Sequence, residues 1–215
     1  MQMPFVDVSF KLQGSSIPVD HGYLLYSTVS KHIPEIHGNE EVGLHPVTGQ
    51  LAGNRLLSIT DRSSLIFRLS SDRISQILPI AGKELNIGEY KIRIGVPQTR
   101  ALVPSARLYS RLVVIKGFME PKPFLEAVQR QLDALNIKGK PSLVEQPHIA
   151  DANENKDVGT HSPVLRRTIR IRDKDIVGFA VRVEELTAEE SLRLQEKGLG
   201  GRRRFGCGIF IPDRR

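Results

Sequence analysis

Near the C-terminus stands the run Gly198-Leu199-Gly200-Gly201-Arg202-Arg203-Arg204-Phe205-Gly206-Cys207-Gly208. Two Gly-hydrophobic-Gly triplets bracket five residues, three of them arginine. Glycine lets a backbone turn tightly and approach a ligand, and guanidinium groups make bidentate contacts to phosphate. A purely structural turn needs one or two glycines, whereas Gly198, Gly200, Gly201, Gly206 and Gly208 make five, and such a turn gains nothing from consecutive Arg202, Arg203 and Arg204. A dinucleotide-binding loop also clusters glycines, but it follows a strand and opens a helix. The order here is helix then strand, so the run reads as a grip on a phosphate backbone.

Histidine carries most proton transfer near neutral pH, and four of the six histidines, His21, His32, His37 and His45, fall within 25 residues. His32 shares a helical face with Leu25 and Val29, the setting of a partly buried structural imidazole. His21 sits in a first helical turn, where the dipole disfavours its cation. His37 and His45 lie in IHGNEEVGLHP, each beside glycine or proline and free of a packing face, which suits a general base better. Tyr23 and Tyr26 are possible proton donors, although a tyrosine beside an apolar stripe is more often core. Lys31 could stabilise phosphate charge or simply face solvent. His148 and His161 fall in a polar insertion and read as neutral loop residues. No carboxylate pair or His/Cys cluster has metal-ligand spacing, and Asp151, Asn153 and Asn155 lack the glycine and glutamate that a calcium loop needs. Neither metal nor cofactor is expected.

The elements that must position these groups alternate between strand and helix. Positions 5–12 alternate like a strand, and Asp20 is placed to cap a helix through about Lys31 that Pro34 closes. Strand-like runs follow at 55–59, 64–69 and 90–96, with a short helix at 72–78. Residues 97–107 read as loop, so the expected division is an N-terminal domain over 1–100 and a C-terminal domain over 108–215. In the second, a strand at 108–116 precedes a helix at 123–137 with an apolar stripe. After a polar insertion over 138–163, VLRRTIRIR and DIVGFAVRVEEL form a hairpin. Arg166 and Arg170 fall on one face of its first strand and Arg167 on the other. Thr187 and Glu190 spell a capping box for a helix that stops at Gly198, and a last strand spans 205–211. This order, βαββαβ, is the ferredoxin-like (RRM-like) arrangement, and the first half is compatible with a divergent copy. The fold class is α+β, two tandem ferredoxin-like domains with a C-terminal glycine-rich loop over 198–208.

Composition agrees with a globular protein, 40% hydrophobic and 26% charged over 215 residues. No apolar run approaches the roughly 18 residues that span a bilayer, which sets the expectation of a cytoplasmic protein with no membrane partner. The lone Cys207 has no second thiol. Residues 164–174 hold five basic and one acidic side chain and residues 197–215 six and one, so these stretches together exceed the net charge of +7. Such local fields attract polyanions with a salt-dependent affinity.

The Gly-hydrophobic-Gly pattern with basic residues between its triplets resembles the signature of CRISPR-associated endoribonucleases that process repeat RNA, within the RAMP superfamily. The segments GYLLYSTVSKHIPEIHG, LYSRLVVIKGF and EESLRLQEKGLGGRRRFGCGIFIP are similar to a type I subfamily of that group. The resemblance spans the chain. It implies two ferredoxin-like domains, precursor CRISPR RNA as substrate, cleavage within each repeat without metal to leave 2′,3′-cyclic phosphate and 5′-hydroxyl ends, and retention of the mature crRNA. It also implies a base between the first helix and the next strand, a position that His45 in GLHPVTG matches, with His37 second; family members vary in the partner, and Tyr26 and Lys31 stay candidates from their own setting. RNA contacts are expected from Gly198, Gly200, Gly201, Arg202, Arg203, Arg204, Gly206, Gly208, Arg166, Arg167 and Arg170. Subunits of a CRISPR effector complex are further possible partners. Two other readings stay open: a catalytically silent RNA-binding subunit of such a complex, and a general RNA-binding module.

Overall fold

The computed structural model describes residues 3–145 and 164–213. In the first half, β1 (Phe5–Gly14) and β2 (Ser16–Pro18) precede α1 (Gly22–His32). Then come β3 (Gly43–Leu44), β4 (Gln50–Leu51), β5 (Leu56–Ser58), β6 (Ser64–Ser70), the single turn α2 (Ile74–Ile77), β7 (Glu84–Ile87) and β8 (Tyr90–Ala101). The main sheet runs β3-β6-β1-β8-β7 with every pairing antiparallel, and β2, β5 and β4 form a small second sheet. In the second half, β9 (Leu108–Val113), α3 (Pro121–Ala134), β10 (Lys140–Leu143), β11 (Arg166–Ile171), β12 (Lys174–Glu184), α4 (Ala188–Lys197) and β13 (Ile211–Pro212) build an antiparallel sheet ordered β10-β12-β9-β13. The fold is α+β with antiparallel sheets. Among the described residues no helix is long and apolar enough to cross a membrane.

Alternation along β1 buries Val6, Val8, Phe10 and Leu12 against Leu25, Val29, Leu65 and Phe67. A second core gathers Leu108, Phe124, Val128, Leu132, Phe179, Val181, Leu194 and Phe210. The first core also takes Leu112, Val114, Ile169, Phe205 and Cys207 from the second half, so the halves share buried surface.

Several expectations change. Asp20 does not cap α1; His21 is the N-cap residue and makes no side-chain capping bond, while Asp20 Oδ2 accepts the Arg170 amide at 2.8 Å. His32 is exposed, because Ile33 and Ile36 take the buried positions at the end of the helix. Residues 97–101, expected as loop, extend β8, with Pro97 opposite Phe10 beside a register shift where a missing amide is tolerated. The segment 140–143, read as polar insertion, is β10. It pairs with one end of β12 while β11 pairs with the other, so two short segments fill one strand position. The last strand shrinks to Ile211–Pro212, and Arg203–Phe205 is a 3-10 turn. His148, His161 and the Asp151, Asn153, Asn155 spacing lie outside the described residues.

Candidate nucleic-acid interface and catalytic site

Helix α4 delivers the glycine loop in a fixed register. Thr187 Oγ1 accepts from the Glu190 amide at 3.2 Å, and Glu190 Oε2 accepts from the Thr187 amide at 2.9 Å, completing the capping box. Beyond α4 the chain folds back on itself, with Leu199 N–H donating to Gly208 O at 3.3 Å and Gly208 N–H to Leu112 O at 2.7 Å. Gly198 and Gly208 have φ of 66° and 65°, and a Cβ at Gly208 would stand 2.0 Å from Leu199 O. These two glycines serve the close approach of the loop's own strands. These contacts lie within the protein; Gly201, with nothing within 4 Å of a would-be Cβ, is the one in the run with open space.

The three arginines part company. Arg202 is exposed and adopts a left-handed φ of 69°. Arg204 lies over the rings of Tyr26 and Phe205, at 5.7 and 5.1 Å. Arg203, expected to face RNA, turns inward and is 9% exposed. Its Nη1 donates to the carbonyls of Glu196 and Lys197, which end α4 without helical partners. Desolvation, then the neighbouring Arg68, lowers its pKa to about 10.

Beneath the loop sits a buried ion cluster. Arg68, 1% exposed, donates Nε and Nη2 to the two oxygens of Asp7 at 2.8 Å each. Its Nη1 reaches Gln195 O at 3.2 Å and Phe210 O at 2.5 Å, so one guanidinium holds both stems of the glycine loop against β1. Burial would raise the Asp7 pKa, but the Arg68 fork and His45 outweigh it and hold the carboxyl well below the usual range. His45 belongs to this cluster. Its amide extends the β3 pairing by donating to Ile66 O, the residue is 8% exposed, and Nε2 stands 3.5 Å from Asp7 Oδ1, too far for more than a weak contact. Desolvation lowers its pKa despite Asp7, so the ring is neutral at neutral pH. The expected open-loop setting is not that of His45. His21 is likewise interior: Nε2 accepts from the Val47 amide at 2.9 Å and Nδ1 faces Pro18 O at 2.8 Å.

His37, unlike His21 and His45, is exposed. It follows the 3-10 turn Pro34–Ile36, and its ring lies 6.3 Å from that of Tyr26 at an interplanar angle of 23°. Tyr26 is buried, and its hydroxyl accepts the Gly38 amide at 3.0 Å, pinning the loop that carries His37. On the same side, a groove of about 390 Å³ runs between Tyr23, the turn of the β11-β12 hairpin with Arg172 and Lys174, and Arg202, Arg204 and Phe205. Arg172 Nε donates to the Tyr23 hydroxyl at 3.3 Å. Cations interleaved with aromatic rings suit a single-stranded nucleic acid, whose phosphates need charge and whose bases need stacking surfaces.

A family model described as Cas6 Crispr matches residues 6–215. The chain belongs to the Cas6 family. The CRISPR-associated endonuclease Cas6 of Myxococcus xanthus strain DK1622 is 35% identical over 213 residues, which cover 99% of this chain and 84% of that relative. A solved CRISPR associated protein Cas6 aligns with a TM-score of 0.65 at 10% identity, covering 98% of this chain and 100% of the other. A Cas6-related protein from Pyrococcus furiosus gives 0.65 at 14% identity, with coverage of 98% and 100%. A RAMP protein described as binding different RNA substrates gives 0.63 at 12% identity, covering 96% and 98%. At these identities the structural likeness is one of fold.

In this Cas6-family chain, Tyr26, His37 and Arg204 come together beside the groove, while His45 and Arg203 lie behind it. Lys31 is exposed in the last turn of α1. Arg166 and Arg170 are exposed on β11, and Arg167 is half-buried. Sequence reasoning passed over Arg172 and Lys174 at the hairpin turn; the excess of basic residues over 164–174 was the available signal. It also missed Arg68, which a strand's alternation marks only as one more position facing inward. Among the described residues, no three His, Cys, Asp or Glu side chains gather as a metal site would require.

Proposed function

We propose that this chain is a CRISPR repeat-RNA endoribonuclease of the cytoplasm, built from two ferredoxin-like domains over 1–100 and 108–215, and that His37 is its general base. The supporting observation is the exposed His37 ring on Tyr26, with Arg204 over the ring of the same tyrosine at the edge of the basic groove. The order of four strands in each main sheet, β3-β6-β1-β8 and β10-β12-β9-β13, supports the domain reading. In the reaction His37 takes the proton of a ribose 2′-hydroxyl, the 2′-oxygen bonds to phosphorus, and the P–O5′ bond breaks. The leaving 5′-oxygen takes a proton from Tyr23, whose hydroxyl faces the groove. The ends left are a 2′,3′-cyclic phosphate and a 5′-hydroxyl. Arg204 and Lys31 offset charge on the phosphate, and Tyr26 positions His37.

Every proton carrier in this scheme is a side chain, so cleavage of repeat RNA should persist in excess EDTA. Loss of cutting in EDTA and its restoration by magnesium would sink the metal-free mechanism. A wild-type protein that binds repeat RNA but never yields a defined fragment would favour the silent-subunit reading.

Affinity should track the two outward arginines. Arg202→Ala with Arg204→Ala should weaken RNA binding and lower the slope of log affinity against log salt by about 1.4, for up to two lost single-strand phosphate contacts. Unchanged binding at matched salt would remove both residues from the interface.

A further inference from the structure

Phe205 also walls a second, smaller pocket of about 80 Å³, formed where the start of α1 meets β9 and β11. Arg55 from the first half and Arg111 from the second line it, together with Thr168 and Gly22. Among the described residues, neither guanidinium has an ion pair or hydrogen bond with the protein. Arg111 is exposed as a whole but lines the pocket, and desolvation followed by the charge of Arg167 lowers its pKa. Arg167 Nε is buried and has no partner. The one carboxylate in the lining, Asp20, has an oxygen taken by the Arg170 amide. His21 is held by Pro18 and Val47 with its pKa lowered by burial, so it adds no positive charge at neutral pH. The first turn of α1 holds no acidic residue and has no side-chain cap, which leaves its partial positive charge facing the same space. Arg55, Arg111 and Arg167 set three cations across a boundary between halves against the single carboxylate of Asp20, and such an excess of positive charge calls for an anion.

We infer that this pocket is a phosphate subsite for the RNA backbone, with Arg55 and Arg111 as its charged contacts, sharing the Phe205 wall with the groove that holds Arg202 and Arg204. The inference rests on the RNA-cleaving reading and extends it: the strand crosses Phe205, and its phosphates are held on both sides of that ring. A subsite of this kind positions the chain without reading bases. It also ties the two halves to one strand, because Arg55 stands in the turn before β5 and Arg111 in β9.

The test is equilibrium binding of repeat RNA carrying 2′-O-methyl riboses, which cannot be cut, over a series of salt concentrations. Arg55→Ala and Arg111→Ala should each lower the slope of log affinity against log salt by about 0.7. The loss should be equal for the repeat and a scrambled strand, and Arg111→Lys should recover most of it. With cleavable RNA, the loss should appear in the half-saturating concentration more than in the rate at saturation. Unchanged slopes in folded alanine variants would overturn the subsite, as would a loss confined to the saturated rate, which would place the arginines in the chemistry. If the wild-type protein fails to bind repeat RNA at all, the proposed function falls and the subsite with it. Slopes unchanged beside a wild type that binds and cuts fell the subsite alone.

Discussion

His37→Ala should slow single-turnover cleavage of a repeat RNA by about 10²-fold or more while leaving affinity within a few-fold. The side chain is exposed and stacked on Tyr26, so its removal leaves no core cavity and disturbs neither the arginine loop nor the groove. His45→Ala is the matching control. That ring is buried against Asp7 and beneath Arg203, so its loss should lower thermal stability and leave the rate of folded molecules within a few-fold. Tyr26→Phe separates positioning from proton donation: it frees the Gly38 amide and loosens the His37 loop, and the expected loss of about tenfold is smaller than that of His37→Ala. A larger loss at His45 than at His37, with both variants folded, would return the base to His45. If neither slows cleavage, no histidine of this pair is the base.

Arg68→Met should be the most destabilising single change in the interior. It keeps bulk but leaves the Asp7 carboxylate without its fork and the Gln195 and Phe210 carbonyls without their donor. Breaking a buried pair by removing one partner costs about 3–5 kcal/mol, which in a chain of this size lowers Tm on the order of 10 °C. Adding Asp7→Asn to Arg68→Met should recover part of that loss, since the stranded charge goes with it. The acid limb of stability gives a second reading. The Asp7 pKa is depressed on folding, so its contribution is present above the unfolded value near 4 and is lost as pH falls toward the folded one. Asp7→Asn should therefore flatten the fall in stability below about pH 4. A Tm shift under about 2 °C for Arg68→Met would mean that the cluster does not hold the loop stems to β1.

Local pattern carried much of the architecture. The capping box at Thr187, the apolar stripe of α3 and the alternation of β1 each depend on neighbours within one or two turns, so those elements stand where their residues place them. Among the elements missed, β10 and the distal end of β8 are segments of low β-propensity that become strands because a long partner offers free amides and carbonyls. KPSL pairs along Val181–Glu184 of β12, and Pro97 is accommodated beside a register shift in β1. Nothing within either segment announces its partner.

The amino-acid sequence by itself determined the family signature, the clustering of positive charge and the residue types available for proton transfer, because these depend on identity and spacing along the chain. Tertiary structure alone decided which of those residues work together. It put Arg203 under the loop as a helix-ending donor and Arg202 and Arg204 outside. It buried His45 against Asp7 while leaving His37 in the open on Tyr26. It paired Arg55 with Arg111 across a boundary 56 positions wide in sequence. The physical reason is that burial and charge neighbours are set by contacts between sheets distant along the chain. Two histidines in one short loop, alike in local composition, end in opposite environments because one extends a strand of the sheet and the other does not.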